Sequence, residues 1–543
     1  MISSQISYRQ LRHLIDSQNS SYFQNFQPAI ATEHQQIEQA LRSGTLGPVY
    51  GFDSLLGPLD SHAAQASSQQ SLLRWHLIGE PQQIDQRIGR WITACKLKQL
   101  ANGGSGISAS SYSAIMEAFS SSKTDYRIDL DASYSSADVV PGAWWLLSVL
   151  GDRAWSLPAG NLIALISGSF IALGMLSYDC ELYASELARL LSVLNATQQR
   201  AGIIGILSSA REQSAILNAE PQELQSVQPS VALSSIQSAE QSARLSAQQS
   251  VQPSVQQPAQ SASTEQNNKQ KQSAQQAEAI CPAISTQSCK PEERQAVNNK
   301  HASHPDSRTA SQQAEHMSSE SMKQPEPDGH NTSSILAEII QAMQMAELAD
   351  RRPQESVLMR DSTPMLRSII HSLQTAISHL EAAYARPSAN PLFIFENGNV
   401  RVLSQSSFLD FDDAQAANTL SHGVMLMARW MQRMLKTICE RKLEEPDEAD
   451  NPQWVQYPKV ALGYVLNIEA RAANPIQLTG DESGGVEDLW DGGLITANIL
   501  HEQLNILHKL CDILIECLEE AGYERMPCKI DDVLGWIDTD NKI

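Results

Sequence analysis

The eight cysteines of this 543-residue chain include no Cys-x-x-Cys pair and no histidine partners at zinc-ligand spacing. Scattered thiols of this kind fit a reduced cytoplasmic protein, and no metal centre is expected. A basic surplus is missing too: the formal net charge is −22. Non-specific nucleic-acid binding rests on neutralising phosphates with Lys and Arg, so this balance argues against a nucleic-acid partner. No basic region followed by an apolar run opens the chain, and no secretory signal is expected. The most apolar stretch, Leu162 to Tyr178, falls short of the ~20 residues of a membrane span and contains Ser167, Gly168 and Ser169. A buried core helix is expected there, and no membrane partner. No lysine follows Asn102-Gly-Gly-Ser-Gly106 at the P-loop position, which argues against a phosphate loop.

What the chain does contain is helical patterning broken by one long polar stretch. Helical spacing covers Tyr8 to Ser17, Glu33 to Leu41 and Ser71 to Leu100, the last with Leu72, Leu73, Leu77, Ile84, Ile88, Trp91, Ile92 and Leu97 available for a core. It resumes over Ile335 to Leu348, Pro364 to Tyr384, Ala414 to Cys439 and Ile495 to Leu518. Leu392 to Phe395 and Val400 to Leu403, flanking Glu396-Asn-Gly-Asn399, predict one β-hairpin. Met425, Met427, Met431 and Met434 form a methionine-rich face that suits a core or a subunit interface. Between about Ser208 and Asn331 the chain turns to Gln, Ser and Ala with scattered Pro, as in Gln225-Ser-Val-Gln-Pro-Ser230 and Gln249-Ser-Val-Gln-Pro-Ser254. Such composition lacks the apolar content that offsets ordering entropy, so a disordered insertion is expected. The reading is a segment 1–43, a region 44–207 carrying loop sites, the insertion 208–331 and a helical bundle region 332–543.

The centre of the chain is Asp131-Ala-Ser-Tyr-Ser-Ser-Ala-Asp138-Val-Val-Pro141-Gly-Ala-Trp-Trp145. Small polar residues meet a proline that suits the first turn of a helix. With it belong Val49-Tyr50-Gly51-Phe52-Asp53-Ser-Leu-Leu-Gly57, Gln70-Ser-Leu-Leu-Arg74-Trp-His76, Ile166-Ser-Gly-Ser169, Gln354-Glu-Ser-Val357-Leu-Met-Arg360, Asn390-Pro391, Leu403-Ser-Gln-Ser-Ser-Phe408 and Val486-Glu487-Asp488. Their order and spacing resemble the aromatic amino acid ammonia-lyase and aminomutase family, which includes histidine and phenylalanine ammonia-lyases, over roughly Gly44 to Leu518 apart from the insertion. The resemblance implies a mainly α fold: a long antiparallel helical bundle of the ammonia-lyase, fumarase/aspartase-like type with a small β element.

The resemblance also implies roles. The family builds a methylidene-imidazolone electrophile from Ala-Ser-Gly, the glycine nitrogen attacking the alanine carbonyl before the serine loses water. Matching Asp138-x-x-Pro141 to the family's Asp-Leu-x-Pro puts Ser135, Ser136 and Ala137 at that tripeptide. Ala132-Ser133-Tyr134 is a competing register that requires a gap and puts a bulky residue at the attacking nitrogen. Tyr50 matches the loop tyrosine that removes the β-proton, although the usual Asn-Thr-Gly-Phe-Gly continuation is altered. His76, Ser167, Arg360, Phe408 and Glu487 match substrate-pocket positions, Arg360 as the carboxylate clamp that a planar guanidinium makes well.

The departures share a direction. Ala137 adds a methyl group where glycine accepts strained dihedrals at little cost. Ser167 replaces an asparagine and loses an amide that donates and accepts at once. Val357 replaces a tyrosine and has no group for general acid–base work. The expectation is therefore a divergent member without the cofactor, binding an aromatic or other carboxylate ligand, as a homotetramer or in a hetero-oligomer that supports an active homologue. Two alternatives remain: a functional ammonia-lyase or 2,3-aminomutase on His, Phe or Tyr in which Ser135-Ser136-Ala137 still forms the imidazolone, and a structural interaction protein acting through its insertion.

Overall fold

Ser7 opens α1 (Tyr8–Ser17) with a reciprocal capping box: its hydroxyl accepts from the Gln10 amide, and the Gln10 side chain accepts from the Ser7 N–H at 3.0 Å. The helix buries Tyr8, Leu11 and Ile15, residues spaced to share one face. The computed structural model describes residues 5–55, 62–63, 68–133, 138–198, 363–472, 479–482, 487–523, 525 and 527–540. All belong to one unit formed by Met1–Leu217 and Asp328–Ile543. The Gln/Ser-rich insertion, the helix expected over Ile335 to Leu348, the tripeptide Ser135-Ser136-Ala137, Val357 and Arg360 lie outside the described residues.

After the short α2 (Ser21–Gln24), α3 (Gln27–Arg42) begins earlier than its apolar spacing indicates. Pro28 stands in the first turn, where a missing N–H leaves no bond unmade. The helix expected over Ser71 to Leu100 is two helices, α4 (Ser68–His76) and α5 (Gln86–Ala101). Gly79, at φ +92°, and Pro81 break the run, and Asp85 restarts it by accepting from the Arg87 amide at 2.6 Å. Between them β1 (Gln82–Gln83) pairs antiparallel with β2 (Arg127–Ile128). The sequence pattern gave no sign of α6 (Ala109–Phe119), whose serine-rich start is capped by Ser108.

α7 (Val139–Leu150) carries Pro141 in its first turn and runs into a 3₁₀ segment, Gly151–Ser156. The apolar stretch that follows is again two helices, α8 (Asn161–Ile166) and α9 (Phe170–Gln198), because Ser167-Gly168-Ser169 turns the chain with Gly168 at φ +105°. Asn161–Val193 is long and apolar enough to cross a membrane, but 94% of that window is buried inside the fold. It is core.

The C-terminal half contributes α10 (Thr363–Ala385), the hairpin β3 (Leu392–Glu396) and β4 (Asn399–Leu403), α11 (Phe411–Leu443), α12 (Gln453–Ala472), the short pair β5 (Thr479–Glu482) and β6 (Glu487–Leu489), α13 (Gly493–Glu520) and α14 (Ile530–Asp540). The hairpin turns at Asn397 and Gly398, both at positive φ as a tight two-residue turn requires. α11 is the centre of the bundle: it packs on α10, α12, α13 and α9, and α9 in turn packs on α5. Short connections make α11 and α12 antiparallel neighbours. Met427, Met431 and Met434 are fully buried, so the methionine face belongs to the core.

One charged network ties α1 and α5 to α9. Glu181 accepts from Arg12 Nε at 2.9 Å, from Arg87 at 2.6 and 2.8 Å and from the buried Trp91 indole at 3.2 Å. By contrast, Gly463 lies on the solvent face of α12, where an added methyl group meets nothing within 4 Å. Gly463→Ala is expected to stabilise the protein by about 0.5–1 kcal/mol by lowering the entropy of the unfolded chain, read as a higher urea midpoint at unchanged slope.

Candidate functional site

Tyr50 lies in a tight loop after α3. Gly51 donates to the Ser54 carbonyl at 2.8 Å, Phe52 and Asp53 donate to the Val49 carbonyl at 3.1 Å, and Asp53 accepts from the Val49 N–H. The loop is pinned from outside, with Gly160 N–H on the Gly51 carbonyl at 3.0 Å and the Phe52 ring edge-on to Phe393 at 5.1 Å. The Tyr50 hydroxyl donates to Asn390 Oδ1, which also accepts from the Gln405 N–H at 3.3 Å. Burial pushes the phenol up to about 12, with a hydrogen bond to Ser404 working weakly the other way. At neutral pH Tyr50 is a hydrogen-bond donor, not a base.

The Ser167 turn faces the same segment. Ser169 N–H donates to the Phe408 carbonyl at 3.2 Å, joining the α8–α9 turn to the strand of chain that leads from Asn390 through Gln405. The Ser167 carbonyl accepts from Lys96 Nζ at 2.8 Å, while its side-chain hydroxyl is buried with no partner among the described residues. Lys96 is fully buried, bonded to Gln99 Oε1 at 2.9 Å and poised 4.4 Å over the Phe170 ring. Burial pushes its amine well below the usual lysine value.

The structure thus gathers Tyr50, Ser167 and Phe408 with Asn390, Lys96 and Gln99. His76 is in the last turn of α4, half-buried, with Nδ1 on the Leu72 carbonyl of its own helix at 2.7 Å. α4 packs on the 3₁₀ segment and α7. Glu487 begins β6, with its backbone paired to Glu482. Ser135, Ser136, Ala137 and Arg360 lie outside the described residues.

Sequence reasoning passed over a group of buried carboxylates at the start of α7. Asp138 caps α7 from a left-handed conformation and accepts from Ser133 Oγ at 2.6 Å; the Trp490 indole donates to that same hydroxyl at 3.2 Å. Burial, then the neighbouring Asp491 and Asp413 carboxylates, hold Asp138 well above the usual carboxylate range, against the pull of the Ser133 bond. Asp491 accepts from the Asp410 and Gly493 amides at 2.9 and 3.1 Å. Asp413 accepts from His379 at 2.7 Å, and Arg386 donates to Asp410. Asp138, Asp410, Asp413 and Asp491 are all buried. Four aspartates from three chain regions gave no spacing signal, because the tertiary fold alone assembles them.

Beside them a cavity of about 550 Å³ runs along one face of α11, lined by Phe411, Ala414, Asn418, His422 and Asp491 among others. Its size suits a small molecule, for which pockets of about 300–1,000 Å³ are usual. None of the site residues expected from the sequence lines it.

The aromatic amino acid lyase family model matches residues 6–177. The fold is similar to that of a phenylalanine aminomutase from Pantoea agglomerans, at TM-score 0.57 and 12% identity over 99% of this chain and 93% of that one. It is equally similar to ergothionase from Treponema denticola, with TM-score 0.56, 12% identity and coverage of 99% and 98%. Histidine ammonia-lyase from Trypanosoma cruzi matches at TM-score 0.56 and 13% identity, covering 99% and 93%. No curated protein matches the chain. Residues 6–177 thus match the aromatic amino acid lyase family, and the helical fold of the chain is the one these ammonia-lyases and aminomutases share.

Proposed function

We propose that this chain works without the methylidene-imidazolone electrophile, and that it binds an aromatic or other carboxylate ligand or supports an active homologue in a mixed oligomer. The observation that carries the reading is Tyr50, whose phenol is half-buried, committed to Asn390 and raised to about 12. A phenol in that state is a donor that binds and orients, and its upward shift makes it a poorer base than an ordinary tyrosine.

The surroundings support the same reading. Ser167 offers a hydroxyl where an amide would donate and accept together, and that hydroxyl has no partner among the described residues. A hydroxyl at the Ser167 position does not fit the group. Ala137 and Val357 carry the same argument from the sequence.

The test is the intact mass of the purified native protein, compared with Ser136→Ala. The wild-type mass is expected to equal that of the unmodified sequence, with no ammonia released from phenylalanine, tyrosine or histidine. A wild type lighter by two waters, with the variant unmodified, overturns the proposal in favour of a functional lyase or aminomutase.

A further inference from the structure

We propose that His379, Asp410 and Asp412 form a site for one divalent first-row transition-metal ion, Mn²⁺ or Zn²⁺. His379 projects from α10, Asp410 caps the start of α11 and Asp412 follows in its first turn. One ligand atom from each falls within 4.8 Å of the other two.

Asp413 supplies the second observation. It is only 1% exposed; one of its oxygens is 2.7 Å from His379 Nε2, and the other is buried with no hydrogen-bond partner among the described residues. A buried carboxylate oxygen without a donor is costly, and a cation held at His379, against which Asp413 already lies, would offset part of that cost. The protein cations nearby do not meet the need. Arg386 spends one arm on Asp410 while its Nε is itself buried without a partner, so the guanidinium is turned to one carboxylate only. Arg386 donates to Asp410 and His379 lies against Asp413, while Asp410 Oδ1 also accepts from the Asp412 N–H at 3.2 Å and Asp491 accepts from the Asp410 N–H.

The donor chemistry selects the ion class. One imidazole with carboxylate oxygens and no thiolate suits Mn²⁺ or Zn²⁺, whereas Ca²⁺ and Mg²⁺ favour oxygen alone and Cu(I) favours sulfur. Arg386 then acts as an outer partner that orients Asp410, a common arrangement around ligating carboxylates. This inference does not depend on the ligand reading above.

The experiment uses the tag-free full chain stripped with EDTA and dialysed. Mn²⁺ is titrated in and its free signal followed by electron paramagnetic resonance; Zn²⁺ is then added in competition. One site per chain is expected, weakened at least tenfold in His379→Gln and in Asp412→Asn, and unchanged in Asp447→Asn, an exposed acid outside the cluster. Asp412 is exposed, so its variant reports on binding even where His379→Gln lowers stability. Absence of saturable uptake, or uptake that survives both cluster variants, overturns the site.

Discussion

Glu181→Ala is expected to destabilise the protein by about 3 kcal/mol, the lower end of what removing one member of a buried ion pair costs. The lower end applies because the arginines keep other partners: Arg12 retains Asp531 and Arg87 retains Asp16, both partly in water. Trp91 has no such reserve. Its indole N–H is fully buried and loses its acceptor, which by itself accounts for about 1–3 kcal/mol. Glu181→Gln keeps an acceptor and should recover part of the loss in urea denaturation. The same network sets an acid limit. Burial alone would raise the Glu181 carboxyl, but the bonds from Arg87 and Arg12 prevail and lower it below its usual value. Its stabilisation is therefore whole above the unfolded carboxylate value of about 4.3 and fades as pH falls through the lower folded value. The variant and the wild type should converge in stability at that acid end.

Gly142→Ala is expected to cost about 3 kcal/mol, the upper part of the usual overpacking range, because the new methyl group meets backbone and not a flexible side chain. Its Cβ would lie 2.4 Å from the Ile166 carbonyl oxygen. α7 must then move off the end of α8, and the residue after Ile166 is Ser167, whose carbonyl holds Lys96. The substitution should thus lower the urea midpoint and also disturb the Lys96–Ser167–Phe408 arrangement, seen as exchange broadening of the Gln99 side-chain amide in NMR. An unchanged midpoint would show that the α7–α8 crossing is looser than this geometry.

The elements with strong local signals were readable from the sequence almost to the residue. α1 coincides with its apolar spacing and cap, and the β3–β4 hairpin has the Asn-Gly turn its flanking strands demand. Breaks were harder. Gly79 and Pro81 divide α4 from α5, and the Ser167 turn divides α8 from α9, because apolar residues continue the helical pattern on both sides of each break. α6 and α12 were missed for opposite reasons: one begins in serines, and the other carries Pro458 within it.

At the site the division is similar. Tyr50, Ser167 and Phe408 could be named from motif order, and tertiary contacts do bring them together through Asn390 and Ser169. What the residues alone determined was the helical class and which residue type stands at each motif position, Ala137, Ser167 and Val357 among them, since each is a property of residue type in register. Only the tertiary structure decided that Tyr50 is held as a donor, that Lys96 lies buried beneath the Ser167 turn, and that aspartates from α7, α11 and the approach to α13 share one buried cluster. Protonation and charge pairing depend on burial and on neighbours distant in sequence, and those exist only once the chain has folded.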